Sequence, residues 1–402
     1  MVTGQDVRDA AARISGRVIR TPLVYSPTFS EKTGAEVYLK LETLQRGGSF
    51  KVRGAMNFVL AQRSRIGPEG VVAASAGNHA QGVAIAARAA GIPATVVMPV
   101  WASPGKQQAA AGYGARVRLA GSSLEEAVEK ARELEEEGLL LVHPYDNPEI
   151  IAGQGTVGLE IAEDLPVPDF VLVPVGGGGL IAGIATALAV ESPGTRVIGV
   201  QAAACPSAVE ALAAGRPVSI PAHRTLADGI RVRRIGDHPF RIIRDQVDRV
   251  ALVGEDAITD AVLLLLERKK VLAEGAGAVG LAALLSGVIE VPPGSRVAVV
   301  ISGGNIDASL LYRVIRKALF RRGRLIRFEV WLDDRPGALT GLMLDVEAAG
   351  GTILRLDQSR SDPDLPIRAV RIHMEVESRC REESDRLLAD LRSAGYQITI
   401  PR

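Results

Sequence analysis

Cysteine is nearly missing from this chain: Cys205 and Cys380 are the only two in 402 residues. Two thiols so far apart indicate neither a disulfide framework nor a zinc cluster, and they suit a reducing cytoplasm. An excess of charge is missing too. The 47 Lys plus Arg against 46 Asp plus Glu leave a formal charge of +1, no field for gripping nucleic acid or an acidic membrane. The first residues, Met1-Val2-Thr3-Gly4-Gln5-Asp6, show no basic stretch leading into an apolar one, so no secretory signal is expected. Phe170 to Val190 carries no charge and is long enough to span a bilayer, but Pro174 and four consecutive glycines interrupt it. It reads as a buried strand, a loop and a helix. What remains is small-molecule chemistry in a chain long enough for two or three folding units.

Lysine is scarce as well, with eight in the chain, and one stands apart. Lys51 sits in Gly48-Ser49-Phe50-Lys51-Val52-Arg53-Gly54-Ala55, wedged between an aromatic and small residues just before an apolar helical pattern. Apolar neighbours disfavour the ammonium form and free the amine as a nucleophile. Two readings fit: a Schiff-base lysine for pyridoxal phosphate, or a lysine that happens to lie at a strand-helix junction.

From about residue 70 to 306, short runs alternate with longer helical patterns: Val71 to Ala74, Ala94 to Met98, Arg116 to Leu119, Leu139 to Val142, Phe170 to Val175, Arg196 to Val200 and Val297 to Ser302. The runs are expected to be strands buried on both faces of parallel α/β sheets, with ligands at their C-terminal ends. Ser122 and Ser123, each three residues before a glutamate, announce the helix Leu124 to Glu137. The texture changes near Arg321-Arg322-Gly323-Arg324. Beyond it the pattern is strand Ile326 to Leu332, helix Ala338 to Ala349, strands Thr352 to Gln358 and Ile367 to Val376, helix Glu382 to Ala394 and strand Tyr396 to Ile400. This βαββαβ order describes a ferredoxin-like sandwich. The expected domains are 1–324, with a small lobe of about 50–150 inserted in a large one, and 325–402.

Three loops close strands of the α/β part. Gly176-Gly177-Gly178-Gly179 precedes the helix from Leu180, and its backbone N–H groups with the helix N-terminus suit a phosphate without any cationic side chain. It lacks both the Gly-Lys-Ser/Thr ending of a nucleotide loop and the dinucleotide GxGxxG spacing; the competing reading is a tight packing turn. Ser75-Ala76-Gly77-Asn78-His79-Ala80-Gln81-Gly82 gathers donors suited to a carboxylate, with Asn78 able to donate to a phenolic oxygen and His79 read as a helix cap or a backbone partner. In Ile301-Ser302-Gly303-Gly304-Asn305 the Ser302 hydroxyl emerges at the same edge, where it can donate to a pyridine nitrogen without protonating it.

Together with Leu41-Glu42-Thr43-Leu44-Gln45-Arg46-Gly47-Gly48-Ser49-Phe50-Lys51, these motifs resemble the fold-type II pyridoxal-phosphate family, and within it the threonine ammonia-lyases. The resemblance covers nearly the whole chain and implies a two-lobed, tryptophan synthase β-like catalytic region. It implies pyridoxal 5'-phosphate as cofactor, bound at Lys51, with Phe50 beside the ring, Asn78 on the ring oxygen, Gly176 to Gly179 and Leu180 at the phosphate, and Ser302 at the pyridine nitrogen. Ser75, Ala76, Gly77, Asn78 and His79 would hold the substrate carboxylate. The last segment resembles an ACT domain, whose Asp334-Arg335-Pro336-Gly337-Ala338-Leu339 loop would take isoleucine or valine as effector, the other reading being assembly alone. A homodimer or homotetramer is implied likewise.

The chain also departs from the family. Thr43 replaces a usual asparagine. Ala76 stands where serine-racemising relatives carry a serine, which disfavours racemisation, and Gln201-Ala202-Ala203-Ala204-Cys205-Pro206-Ser207 lacks the carboxylates a divalent cation needs, so no metal is expected. The implied reaction is water loss from L-threonine, giving 2-oxobutanoate and ammonia, with L-serine giving pyruvate. Lys51 would act as base, and because no acidic side chain stands out in these motifs, the cofactor phosphate or a water would act as acid. The rivals are a serine dehydratase or other β-eliminating or β-replacing relative, and a silent amino-acid sensor.

Overall fold

The computed structural model describes residues 1–361 and 365–401 and contains two compact units, Met1–Asp307 and the residues from Ala308 onward. In the first, the strands are β1 (Leu23–Tyr25), β2 (Glu36–Leu41), β3 (Val71–Ala74), β4 (Ala94–Met98), β5 (Arg116–Leu119), β6 (Leu140–Leu141), β7 (Phe170–Pro174), β8 (Arg196–Ala202), β9 (Arg249–Val253) and β10 (Arg296–Ile301). They form two sheets, one ordered β1-β2-β10-β7-β8-β9 and the other β5-β4-β3-β6. Every pairing is parallel except β1 with β2. The strands therefore need crossover helices, which cover both faces and account for the continuous apolar runs.

All the residues of β3 and β7 are buried. Arg116–Leu119 corrects the expectation of strands buried on both faces: it is an edge strand whose residues are mostly exposed, and its two arginines keep that edge solvated. The uncharged stretch after Phe170 divides into β7, the glycine loop and the helix Gly179–Glu191, and no helix among the described residues is long and apolar enough to cross a membrane. Ser123 caps the helix Leu124–Glu136 by accepting from Glu126 N at 3.1 Å, while the Glu126 carboxylate returns to Ser122 N at 2.7 Å.

The helix Pro148–Asp164 runs through the middle of this unit with most of its residues buried. Asn147 caps it, accepting from Glu149 N at 2.9 Å and Ile150 N at 3.1 Å, and proline occupies the first turn, where no N–H is needed. It meets the helix Lys51–Ala61 at a crossing of glycines: a Cβ on Gly153 would lie 2.7 Å from Gly54 Cα. That close approach packs the helix that begins at Lys51 directly against the buried helix Pro148–Asp164.

The second unit begins with the helix Ala308–Arg321 and continues as β11 (Leu325–Asp333), helix Ala338–Ala348, β12 (Thr352–Ser359), β13 (Ala369–Glu377), helix Arg381–Ser393 and β14 (Gln397–Thr399). The sheet order β12-β13-β11-β14 is antiparallel throughout, the βαββαβ sandwich expected. Phe328, Val330, Ile372 and Met374 on one sheet face pack with Leu342 and Leu387 of the two helices. The helix Ala308–Arg321 lies upstream of the expected 324/325 boundary, yet groups with this unit. Its Arg316 reaches Glu375 on β13 at 2.6 Å.

Candidate active site

β2 and β10 are parallel neighbours in register to Leu41 and Ile301, so the segments that follow them leave the sheet side by side. Phe50 N donates to Ser302 O at 3.1 Å and Gly304 N to Gly48 O at 2.9 Å. Gly48, at φ +71°, has no room for a side chain, since a Cβ would lie 2.6 Å from Asn305 Oδ1. This pairing delivers Lys51 as the first residue of its helix. The half-buried side chain turns inward, where Nζ donates to Pro144 O at 2.8 Å and lies 5.2 Å from the Phe50 ring centroid. Burial lowers the Lys51 pKa to about 8, against the opposing pull of the nearby Glu274 carboxyl. An ammonium without a carboxylate in bonding distance is half ready to be a free amine.

The segment that holds Lys51 also touches the glycine loop. Tyr145 follows Pro144, and a Cβ on Gly177 would lie 2.2 Å from the Tyr145 ring. Gly178 has φ +94°, a left-handed conformation suited to glycine. Among the described residues, the N–H groups of Gly176, Gly177 and Gly178 donate to no protein acceptor, and those of the helix's first turn have none within it. Leu180 is 5% exposed and faces the core. The result is a cluster of free donors at a helix N-terminus, the chemistry a phosphate needs.

At the end of β3, Ser75 Oγ accepts from Gly77 N at 3.1 Å, shaping the turn that starts the helix Asn78–Ala90. Ala76, Gly77 and Asn78 are half-buried. His79 is buried and bonds Val142 O through Nε2 at 2.8 Å, the structural role expected of it. Burial, reinforced by Lys51, pushes its pKa down to about 3. His143 is lowered likewise to about 4, chiefly by burial, and its Nδ1 accepts from Asp146 N at 2.8 Å. Two neutral imidazoles thus flank the Lys51 amine without adding charge. Ser302 is 3% exposed, and its hydroxyl has no protein partner among the described residues.

Sequence reasoning missed Glu274. It is 6% exposed, heads the helix Gly275–Leu285 and accepts from Asn78 Nδ2 at 2.7 Å. Burial raises its pKa to about 8, and Asp228 adds to the rise. A lone acid ahead of Gly275-Ala276-Gly277-Ala278 was the available signal, but acids at helix starts are ordinary, and Asn78 is remote in sequence. Thus an acidic side chain from outside the sequence motifs stands beside Asn78.

A second charged cluster is centred on Arg53, two residues beyond Lys51 on the same helix. Arg53, fully buried, donates to Glu42 at 2.7 and 2.8 Å and to Glu160 at 2.6 and 2.9 Å. Buried Lys40 reaches Glu160 at 2.6 Å and Thr21 O at 2.7 Å. Burial pulls the Arg53 pKa down, but the two carboxylates more than offset it and leave it raised.

In the second unit, Asp334 to Gly337 turn from β11 into the helix that starts at Ala338, with Gly337 at φ +90°. Asp334 accepts from Arg360 Nε at 3.2 Å, and Arg335 lies 3.9 Å from Asp333. Leu339 packs against that unit's core.

The sites of the first unit suit pyridoxal phosphate: free backbone donors for its phosphate, an amine for its aldehyde, and an unpartnered buried hydroxyl for its ring. Comparison with known proteins agrees. The family model "Pyridoxal-phosphate dependent enzyme" matches residues 14–303. An L-threonine ammonia-lyase of Thermotoga maritima is 45% identical over 401 residues, covering 100% of both chains. Among solved structures, the T.th. threonine deaminase is 44% identical with a TM-score of 0.71, covering 76% of this chain and 99% of that one. Maize serine racemase is 35% identical with a TM-score of 0.74, covering 80% of this chain and 98% of that one.

Proposed function

Because the chain belongs to the pyridoxal-phosphate dependent enzyme family, we infer that it is a lyase that deaminates L-threonine to 2-oxobutanoate and ammonia. When bound, pyridoxal 5'-phosphate supplies an aldehyde for the substrate amine and a ring that accepts the electron pair left by the Cα proton. Lys51 takes up that proton at Nζ. The observation that carries this role is the half-buried amine, lowered to about 8 and held on the Pro144 carbonyl, because the neutral form is then accessible near neutral pH. The β-hydroxyl would depart as water on taking a proton from solvent, and tautomerisation and hydrolysis of the released enamine would yield 2-oxobutanoate and ammonia.

The remaining site residues follow from their surroundings. The Gly176 to Gly179 amides and the helix start at Leu180 would hold the phosphate, Ser302 would serve the ring nitrogen, and Phe50 would pack beside the ring. Asn78 donates to the phenolic oxygen. The Ser75 to His79 loop would hold the substrate carboxylate and so orient the substrate for loss of its Cα proton. Ala76 offers no hydroxyl to return a proton from the opposite face, which favours elimination over racemisation. L-serine, which carries the same leaving group, would give pyruvate.

The Asp334 to Leu339 turn is proposed as an isoleucine or valine site in an ACT domain, on the support of the βαββαβ order and the charged, open turn. We propose a homodimer or homotetramer acting in the cytoplasm, a location the free thiols of Cys205 and Cys380 suit. The direct test is to incubate the purified, cofactor-loaded protein with threonine and assay 2-oxobutanoate. A yellow protein that releases none from threonine, and no pyruvate from serine, would overturn the assignment in favour of a sensor.

A further inference from the structure

The Asn78 side chain is gripped at both amide ends. Its Oδ1 accepts from Asn305 Nδ2 at 2.6 Å, and its Nδ2 donates to Glu274 Oε1 at 2.7 Å. Asn305 Nδ2 also donates to Gly47 O at 2.7 Å. A chain of three side chains therefore runs from the loop ahead of Lys51 to the head of the helix Gly275–Leu285. An amide offers two donor hydrogens and one acceptor oxygen. Flipping Asn78 would set NH₂ against NH₂ at Asn305, whose Nδ2 is also held on Gly47 O, and forfeit that bond, so one Nδ2 hydrogen is committed and the other is left with a fixed direction.

We propose that Glu274 is a positioning residue: by accepting one hydrogen of Asn78 Nδ2, it aims the other at the phenolic oxygen of the cofactor. The proposal rests on the role given to Asn78 above, and it gives that role a cause. Three features set Glu274 apart from an ordinary helix cap. Its side chain makes no capping bond although it occupies the N-cap position. The loop after β10 closes on the contact, since a Cβ at Gly303 would lie 2.5 Å from Glu274 Oε1 and 3.3 Å from Asn78 Nδ2. Glu274 N is itself tied to Gly303 O at 3.1 Å, which fixes the backbone from which the acid reaches Asn78.

The function asks for an acceptor oxygen rather than a charge. Burial and Asp228 push the Glu274 pKa up to about 8 against the opposing effects of the Asn78 bond, Lys106 and Lys51. Near pH 7 the group is mostly a neutral acid, and a glutamine of the same shape presents the same acceptor to Asn78.

The test compares Glu274→Ala, Glu274→Asp and Glu274→Gln in the full chain loaded with pyridoxal phosphate. Cofactor affinity is measured by titrating the apoprotein, the state of the phenolic oxygen by visible absorbance, and turnover by 2-oxobutanoate release. Glu274→Ala and Glu274→Asp, which remove or withdraw the acceptor, should each shift the absorbance band and lower both affinity and kcat by about tenfold, the worth of one buried hydrogen bond. KM should change little. Glu274→Gln should restore the wild-type spectrum and most of kcat. A wild-type spectrum in Glu274→Ala, or a Glu274→Gln as impaired as Glu274→Ala, overturns the proposal; should the alanine variant fail to fold, the aspartate and glutamine variants decide. If the wild type releases no 2-oxobutanoate, the activity reading fails, while affinity and absorbance still decide the role of Glu274.

Discussion

Two buried groups of charges share the first turn of one helix, and they differ in how well they are paired. Arg53 and Lys40 meet the carboxylates of Glu42 and Glu160 at 2.6 to 2.7 Å, so positive and negative charges balance in contact. Lys51, two residues before Arg53, has a carbonyl as its closest partner and the Glu274 carboxyl beyond hydrogen-bonding distance. Saturated pairing makes the first group a bolt between β2, the Lys51–Ala61 helix and the Pro148–Asp164 helix. Starved pairing lets Lys51 and Glu274 both titrate near pH 8. The same physics of desolvation yields architecture where partners suffice and reactivity where they do not.

The contrast can be broken most sharply at Lys51 itself. Lys51→Ala should reduce 2-oxobutanoate release by about three orders of magnitude or more while leaving the urea midpoint almost unchanged; near-normal turnover would end the case for this amine. Arg53→Met should do the opposite, costing about 3–5 kcal/mol of stability because Glu42 and Glu160 would be left buried without their main partner. A loss below about 1 kcal/mol in chemical denaturation would show that the quartet is no bolt.

A third measurement sharpens the electrostatic side. A Lys51 pKa lowered from 10.5 to about 8 means that the ammonium dominates below pH 8 and the free amine above it. The rate of cofactor uptake by the apoprotein should therefore climb about tenfold per pH unit up to about 8 and then level off. A rate that still climbs at pH 10 would place Lys51 among ordinary surface lysines. Gly177→Ala asks whether the cradle needs its glycine: a methyl 2.2 Å from the Tyr145 ring must displace the loop, and about tenfold weaker cofactor binding is expected, read by titration. The smallest effect is expected outside the first unit, where Asp334→Ala should weaken isoleucine or valine binding several-fold in calorimetry, and unchanged binding would move the effector elsewhere.

The paired group was harder to read from sequence than the starved one. Lys51 announced itself because a lone lysine among Phe50, Val52 and small residues has few explanations. Arg53 stood in the same motif, yet its partners Glu42 and Glu160 come from a strand end and a distant helix, and only the glycine crossing brings them together. β2 escaped notice for a related reason: Glu36 and Lys40 interrupt its apolar pattern, although Lys40 is fully buried in the structure. The strands of the second unit were legible because a half-buried antiparallel sheet alternates its side chains. Glu274 was not, since nothing local distinguishes it from a helix-capping acid.

The glycine loop carries one consequence beyond its geometry. A pocket that grips an anion through peptide dipoles has no mobile counterions to shed and no side chain to neutralise. Retention of the coenzyme through that end should therefore depend less on ionic strength than in a pocket lined with exposed arginines.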